Sequence, residues 1–119
     1  ALNASLKDRP EALVQLGSPL FRSASKTIAG FLAAHRLPGI SPFRAFADNG
    51  GLLSYGPNLP IMYRGLAISI SKILKGANAA DLPIEQPTRF DLVINLKTAK
   101  ALGIVLPQSM LIRATEVIE

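Results

Sequence analysis

The residues best suited to chemistry stand where short apolar runs stop. Ser18 follows the run 12–16 across Gly17, Phe43 and Arg44 follow Gly39-Ile40-Ser41 across Pro42, and Ser54 and Tyr55 close Leu52-Leu53. Together they offer hydroxyls, two aromatic faces and one guanidinium, an inventory for binding rather than for breaking bonds. A guanidinium can fork onto a carboxylate, and an aromatic ring can cover an apolar or planar ligand with little loss of side-chain freedom. The competing reading makes Phe43 and Tyr55 the finish of a core and leaves Arg44 in water.

Signals for catalysis are missing. No G-x-G-x-x-G, G-x-x-x-x-G-K-[ST] or G-x-S-x-G pattern occurs, and the acidic residues are spread singly, without a close pair resembling a general acid and base. The single histidine, His35, falls on the apolar stripe of a helix near its end, where a packed or dipole-stabilising histidine is commoner than a base. Lys97 and Lys100, three apart, read as a solvated helix face. With no cysteine there is no disulfide or thiolate site, and one histidine makes a protein-built zinc site improbable. These absences predict that the chain is not an enzyme.

The elements that must position the strand-end residues follow from pattern. At 119 residues, with 49% hydrophobic and 18% charged residues, the chain suits one domain with a modest core. The net charge of +5 comes from dispersed Lys and Arg without interleaved aromatics, which argues against a nucleic-acid partner. No apolar run reaches the roughly 18 residues needed to span a bilayer, and no export-signal pattern opens the chain. Residues 1–7 read as the last turn of a helix, with Leu2 and Leu6 at i, i+4, an expectation of a fragment or a processed chain.

Residues 12–16 predict a strand buried on both faces, and Ser23 or Ser25 a cap for a helix through about Arg36, with Ile28, Phe31, Leu32 and His35 on one stripe. A minimal strand at 39–41, a short helix at 44–47, the turn Asp48-Asn49-Gly50-Gly51 and a strand at 52–55 follow. Strand, helix, strand, short helix, strand with tight connections is the pattern of right-handed crossovers, so three strand ends should share one edge, where ligands bind in such sheets. The fold class expected is α/β, a parallel sheet with flanking helices.

Asn58 can cap a long helix with Pro60 in its first turn and Gly76 beyond its end. Its apolar stripe would be Met62, Tyr63, Leu66, Ala67, Ile70, Ile73 and Leu74. Ile61 and Ile68 fall on the polar side, either as exposed isoleucines or as a contact with something absent from the chain. Residues 77–89 read as an extended connection, 90–95 as a fourth strand, 97–102 as a helix stopped by Gly103, and 107–119 as a terminal helix carrying Met110, Leu111, Ala114, Val117 and Ile118.

At these positions a resemblance is visible. Pro42-Phe43-Arg44, the stretch from Gly50 to Asn58, Lys72-Ile73-Leu74-Lys75-Gly76, the stretch from Ala80 to Thr88, and the stretch from Val93 to Gly103 resemble, in order and spacing, the carboxyl-terminal part of ABC-transporter substrate-binding proteins. The branch resembled includes tryptophan and tyrosine binders. The resemblance implies a two-lobed clamp of type I periplasmic-binding-protein topology. Residues 1–55 would supply second-lobe strands and helices, 56–76 a hinge and a long helix packing on the first lobe, and 77–119 a connection, a return strand and terminal helices. Ile61 and Ile68 would then have a reason to be apolar.

It implies a small solute such as an aromatic or branched amino acid, a membrane permease as partner, no cofactor, and a periplasmic or otherwise extracytoplasmic location. Carried over by position, the ligand-binding residues would be Ser18, Phe43, Arg44, Tyr55 and Asn58. One departure weakens amino-acid specificity: many relatives have an aspartate at or near Ser18, able to accept an ammonium as an anion, where serine can only hydrogen-bond it. Two other classes stay open, a Rossmann-like enzyme, disfavoured by the missing phosphate loops, and a self-associating interaction domain forming a homodimer or a swapped assembly.

Overall fold

A computed structural model describes residues 2–119, so Ala1 lies outside the described residues. The chain divides into two compact units, one of residues 1–56 and 91–119, the other of residues 57–90. In chain order the elements are α1 (Leu2–Ser5), β1 (Leu13–Val14), α2 (Pro19–Ser23), α3 (Ser25–Ala34), β2 (Gly39–Ser41), α4 (Arg44–Asp48), β3 (Leu53–Pro57), α5 (Leu59–Leu74), β4 (Phe90–Asn95), α6 (Leu96–Leu102), α7 (Gln108–Arg113) and β5 (Glu116–Ile118).

The strands form one sheet in the order β1-β2-β3-β4-β5. β1, β2 and β3 are parallel neighbours, with Leu13 beside Gly39, Val14 beside Ile40, Ile40 beside Leu53 and Ser41 beside Ser54. Their carboxyl ends therefore share an edge, as the crossover pattern predicts. β4 returns in the opposite sense, since the amide of Asn95 at its end donates to the carbonyl of Leu52 at the start of β3 (2.9 Å). β5 then runs parallel to β4.

The core of the first unit is built from Ile28, Ala29 and Leu32 of α3 and Phe46 of α4. Phe46 has no exposed surface. It fits because its neighbours lack side chains: a Cβ on Gly51 would collide with the Phe46 ring, and one on Gly39 would meet the ring at 3.1 Å and Leu32 at 2.5 Å. Gly50, at φ +96°, turns the chain from α4 into β3.

Side chains of β4 and α6 tie the rest to this turn. The buried Asn95 donates through Nδ2 to the Ala47 carbonyl (3.0 Å) and accepts from the Thr98 amide (3.0 Å), capping α6. Thr98 in turn donates to the carbonyl of Gly50 (2.9 Å). Gly103, left-handed at φ 71°, ends α6 as the sequence predicts.

Several expectations need correction. The predicted helix over 107–119 is a six-residue helix followed by a strand. Thr115 both donates its amide to the Leu92 carbonyl (2.8 Å) and accepts the Leu92 amide on its hydroxyl (3.1 Å), and the ladder beyond it suits β-branched Val117 and Ile118. The first strand is shorter than 12–16 and not buried on both faces: Val14 and Leu16 are 69% and 72% exposed, because β1 is an edge strand. Neither Ser23 nor Ser25 caps α3; the N-cap is Ala24, and Ser25 instead donates to the Arg22 carbonyl (2.7 Å) at the end of the unexpected helix α2.

In the second unit, Asn58 caps α5 by accepting the Ile61 amide (3.0 Å), and Gly76 lies beyond the helix end at φ +100°. No residue of α5 is buried, on its apolar stripe or off it. Leu66, Ile70 and Ile73 on the stripe and Ile61 and Ile68 off it are each 39% exposed or more.

Truncating Phe46 should be the most damaging core substitution. Phe46→Ala is expected to cost about 3–5 kcal/mol, the usual range for a fully buried phenylalanine, read as a lowered urea midpoint. A loss below about 1 kcal/mol would show that Phe46 is not the keystone of the first unit.

Candidate functional site

The candidate site lies at the carboxyl ends of β1, β2 and β3, where close approaches of backbone draw three loops together. A Cβ on Gly17, beyond β1, would touch the Pro42 ring beyond β2 at 3.9 Å. A Cβ on Gly56, in β3, would collide with the Pro42 carbonyl, so only glycine lets β3 pass there. Pro42 thus stands between the two other exits. It brings the segments carrying Ser18, Phe43 and Tyr55 to one rim.

Ser18 is half-buried and is the N-cap residue of α2, but its side chain caps nothing. Phe43 is half-buried and precedes α4, its amide held by the Ser41 hydroxyl (3.1 Å), which fixes the turn out of β2. Tyr55 is 55% exposed on β3, so it does not finish the core. Asn58 belongs to the second unit, where its side chain is engaged in capping α5.

Arg44 does fork onto a carboxylate, but one belonging to the chain itself. Its two terminal nitrogens donate to the two oxygens of Glu116 at 2.6 and 2.7 Å, while Nε lies 3.4 Å from Asp48 one turn along α4. The hydrogen bonds from Arg44 hold the Glu116 carboxyl below its ordinary value of 4.5, and the same bonds raise the guanidinium. The side chains stay 56% and 44% exposed, so water screens the pair and its contribution to stability is small. Its geometric effect is larger: the fork ties α4 to β5, 72 residues apart in sequence.

His35 is exposed rather than packed in the stripe, with its ring 4.3 Å from that of Phe31 and Nδ1 2.8 Å from the Phe31 carbonyl. There it serves the last turn of α3, as a histidine at a helix end can. Among the described residues no group of His, Cys, Asp and Glu could hold a metal ion.

A residue that sequence reasoning missed is Gln15. It is buried to 5% exposure just beyond β1, and neither side-chain polar atom has a hydrogen-bond partner among the described residues. The signal was available: a glutamine inside the apolar run Ala12-Leu13-Val14-Gln15-Leu16 must fall on one face of a strand.

The second unit has a concavity of its own, about 630 Å³, between α5 and the extended segment, lined by Ile61, Met62, Leu66, Pro83, Pro87 and Thr88 among others. No helix among the described residues is long and apolar enough to cross a membrane.

Comparison with known proteins gives a consistent picture. A family model described as ABC transporter substrate binding protein matches residues 4–118. Among solved structures, a domain from Streptococcus pneumonia in complex with L-Trp is similar at 27% identity and TM-score 0.88, covering 96% of this chain and 39% of that one. A conserved domain protein from Vibrio cholerae O1 biovar El Tor shares the fold at 23% identity and TM-score 0.88, over 95% of this chain and 38% of that one. A ligand-free, open substrate binding protein with adhesive properties from Clostridium difficile shares it at 22% identity and TM-score 0.66, over 97% and 38%. A comparison with curated proteins finds no match. The chain therefore spans less than two fifths of the length of these solved structures.

The Arg44–Glu116 fork predicts an acid dependence. Because the folded state lowers the pKa of Glu116, the stabilisation is present above the unfolded value and is lost as pH falls through the folded one. The difference in Tm between the wild type and Glu116→Gln should therefore be small at neutral pH and shrink towards zero in acid. A difference that grows on acidification would contradict the fork.

Proposed function

We propose that this chain, a member of the ABC transporter substrate binding protein family by the match over residues 4–118, takes part in binding a solute, and that the solute is an amino acid or a similar small molecule. The solute would be captured without covalent chemistry and delivered to a membrane permease outside the cytoplasm. The observation that carries the reading is the rim itself, three parallel strand ends drawn together around Pro42 with aromatic and polar side chains upon it. The relative solved with L-Trp supports an amino acid as the solute class.

In this reading residues 12–55 form one jaw of a two-lobed clamp with Ser18, Phe43, Arg44 and Tyr55 as its contact residues, and Asn58 is a contact residue of the hinge. Phe43 and Tyr55 would cover an apolar or planar side chain. Arg44 would accept a solute carboxylate only by exchanging Glu116 for it, a like-for-like replacement of one fork by another. The helix α5 would lie against the other lobe, consistent with apolar residues exposed on both its sides. No step of this function requires catalysis or a cofactor.

Small ligands are held by near-complete enclosure, so affinity at a single jaw is expected to be weak. A thermal-shift screen of the amino acids, with L-Trp included, tests the proposal. A ligand at 100 times its dissociation constant should add about 2.7 kcal/mol, and Phe43→Ala and Tyr55→Ala should abolish the shift while Tyr55→Ala leaves the unliganded Tm nearly unchanged. Silence across the whole screen would remove the amino-acid reading.

A further inference from the structure

On the helix-covered face of the sheet, the strands β1, β2 and β3 change character in one step. In the row Leu13, Gly39 and Leu52, Gly39 lies under Leu32 and Phe46 and Leu13 packs against the same cluster, while Leu52 is buried. The next row on that face, extended by the bond from the Gln15 amide to the Ile40 carbonyl (2.8 Å), is Gln15, Ser41 and Ser54, all buried to 5% exposure or less. Packing alone calls for apolar residues in such a row. Ser41 has a local task at the turn into α4. Gln15 has none: Nε2 and Oε1 are both buried without a partner among the described residues.

Leaving a buried carboxamide unpaired is costly, and a native chain keeps such a group where something else completes it. A carboxamide presents two N–H donors beside an acceptor. A carboxylate would satisfy the donors but set its charge against Oε1, and an ammonium would do the reverse. The complete complement is a neutral planar edge with an acceptor next to a donor: a primary carboxamide, a urea or a lactam.

We propose that Gln15 is a solute-reading residue of this jaw, selecting solutes that carry a neutral amide-type edge and seating that edge in the last row of the sheet beside Ser41. The inference rests on the solute-binding reading above and adds to it the chemistry of the group recognised. It assigns discrimination to a residue beneath the rim, leaving Phe43 and Tyr55 to cover the remainder of the solute.

The test combines a titration with a substitution. Acetamide, N-methylurea and L-asparagine are titrated into isotope-labelled chain, with acetate, methylammonium and L-leucine as controls, while the Gln15 side-chain amide protons are followed by NMR. The amide probes should shift that resonance pair and the controls should not. Gln15→Met, of similar shape and without hydrogen-bonding groups, should raise the Tm of the unliganded chain and weaken amide-probe binding by at least about tenfold, or 1.4 kcal/mol.

A lowered unliganded Tm in Gln15→Met would show the carboxamide already satisfied, by an internal water, and would overturn the proposal. So would resonances unmoved by any amide probe, a readout that does not depend on the variant folding. Binding of L-leucine or L-Trp without the amide probes would remove the Gln15 assignment and leave solute capture standing, whereas failure of every compound would remove both.

Discussion

The first unit depends on the seat of one aromatic ring. α4 has five residues, far too few to be helical without tertiary contacts, and it persists because Phe46 is enclosed between the backbones of Gly39 and Gly51 and the side chain of Leu32. Those two glycines lie on either side of α4, at the entry to β2 and just before β3. One ring therefore sets the spacing of two strands. The bonds from Asn95 to the Ala47 carbonyl and from Thr98 to the Gly50 carbonyl lock β4 and α6 onto the same turn, so the return strand takes its position from the seat as well.

That arrangement explains how a small core can hold a polar rim. Below the rim, the buried surface is supplied by Ile28, Leu32 and Phe46; at the rim, backbone contact around Pro42 replaces side-chain packing, because Gly17 and Gly56 have no side chains to interpose. Residues on the rim are thereby released from core duty. Tyr55 can stay exposed, and the Arg44 guanidinium can lie across α4 and β5 with its carboxylate partner drawn from the chain. A residue freed from packing in this way can be changed with little cost to the fold, which is how one fold can host different sites.

Much of this was legible in the sequence, and the misses have physical causes. β2 and β4 and the caps of α5 and α6 were readable because glycine, proline and asparagine mark them locally. The strand β5 was not: Met110, Leu111, Ala114, Val117 and Ile118 keep helical spacing, and only the ladder partners on β4, some 23 residues away, turn the last of them into a strand. Phe46 escaped notice for the same reason, since its glycine seats lie in other elements. For the site, three strand ends could be brought to one edge from crossover logic, but the engagement of Arg44 by Glu116 joins elements 72 residues apart and leaves no local mark.

The long helix poses the converse problem, an element whose bounds are legible in full and whose burial the local pattern does not decide. α5 has its cap, its proline and its terminal glycine, yet no residue of it is buried, and its apolar side chains occupy both sides. A helix patterned on one side is satisfied by one neighbouring layer; one patterned on both needs two. Within its own unit the extended segment 83–89 lines a concavity with Met62 and Leu66 of the stripe and with Ile61 and Ile68 off it. Ile70 and Leu74, at 48% and 83% exposure, lie outside that lining. Local signals thus settle where this helix starts and stops, while its burial depends on contacts that leave no local mark.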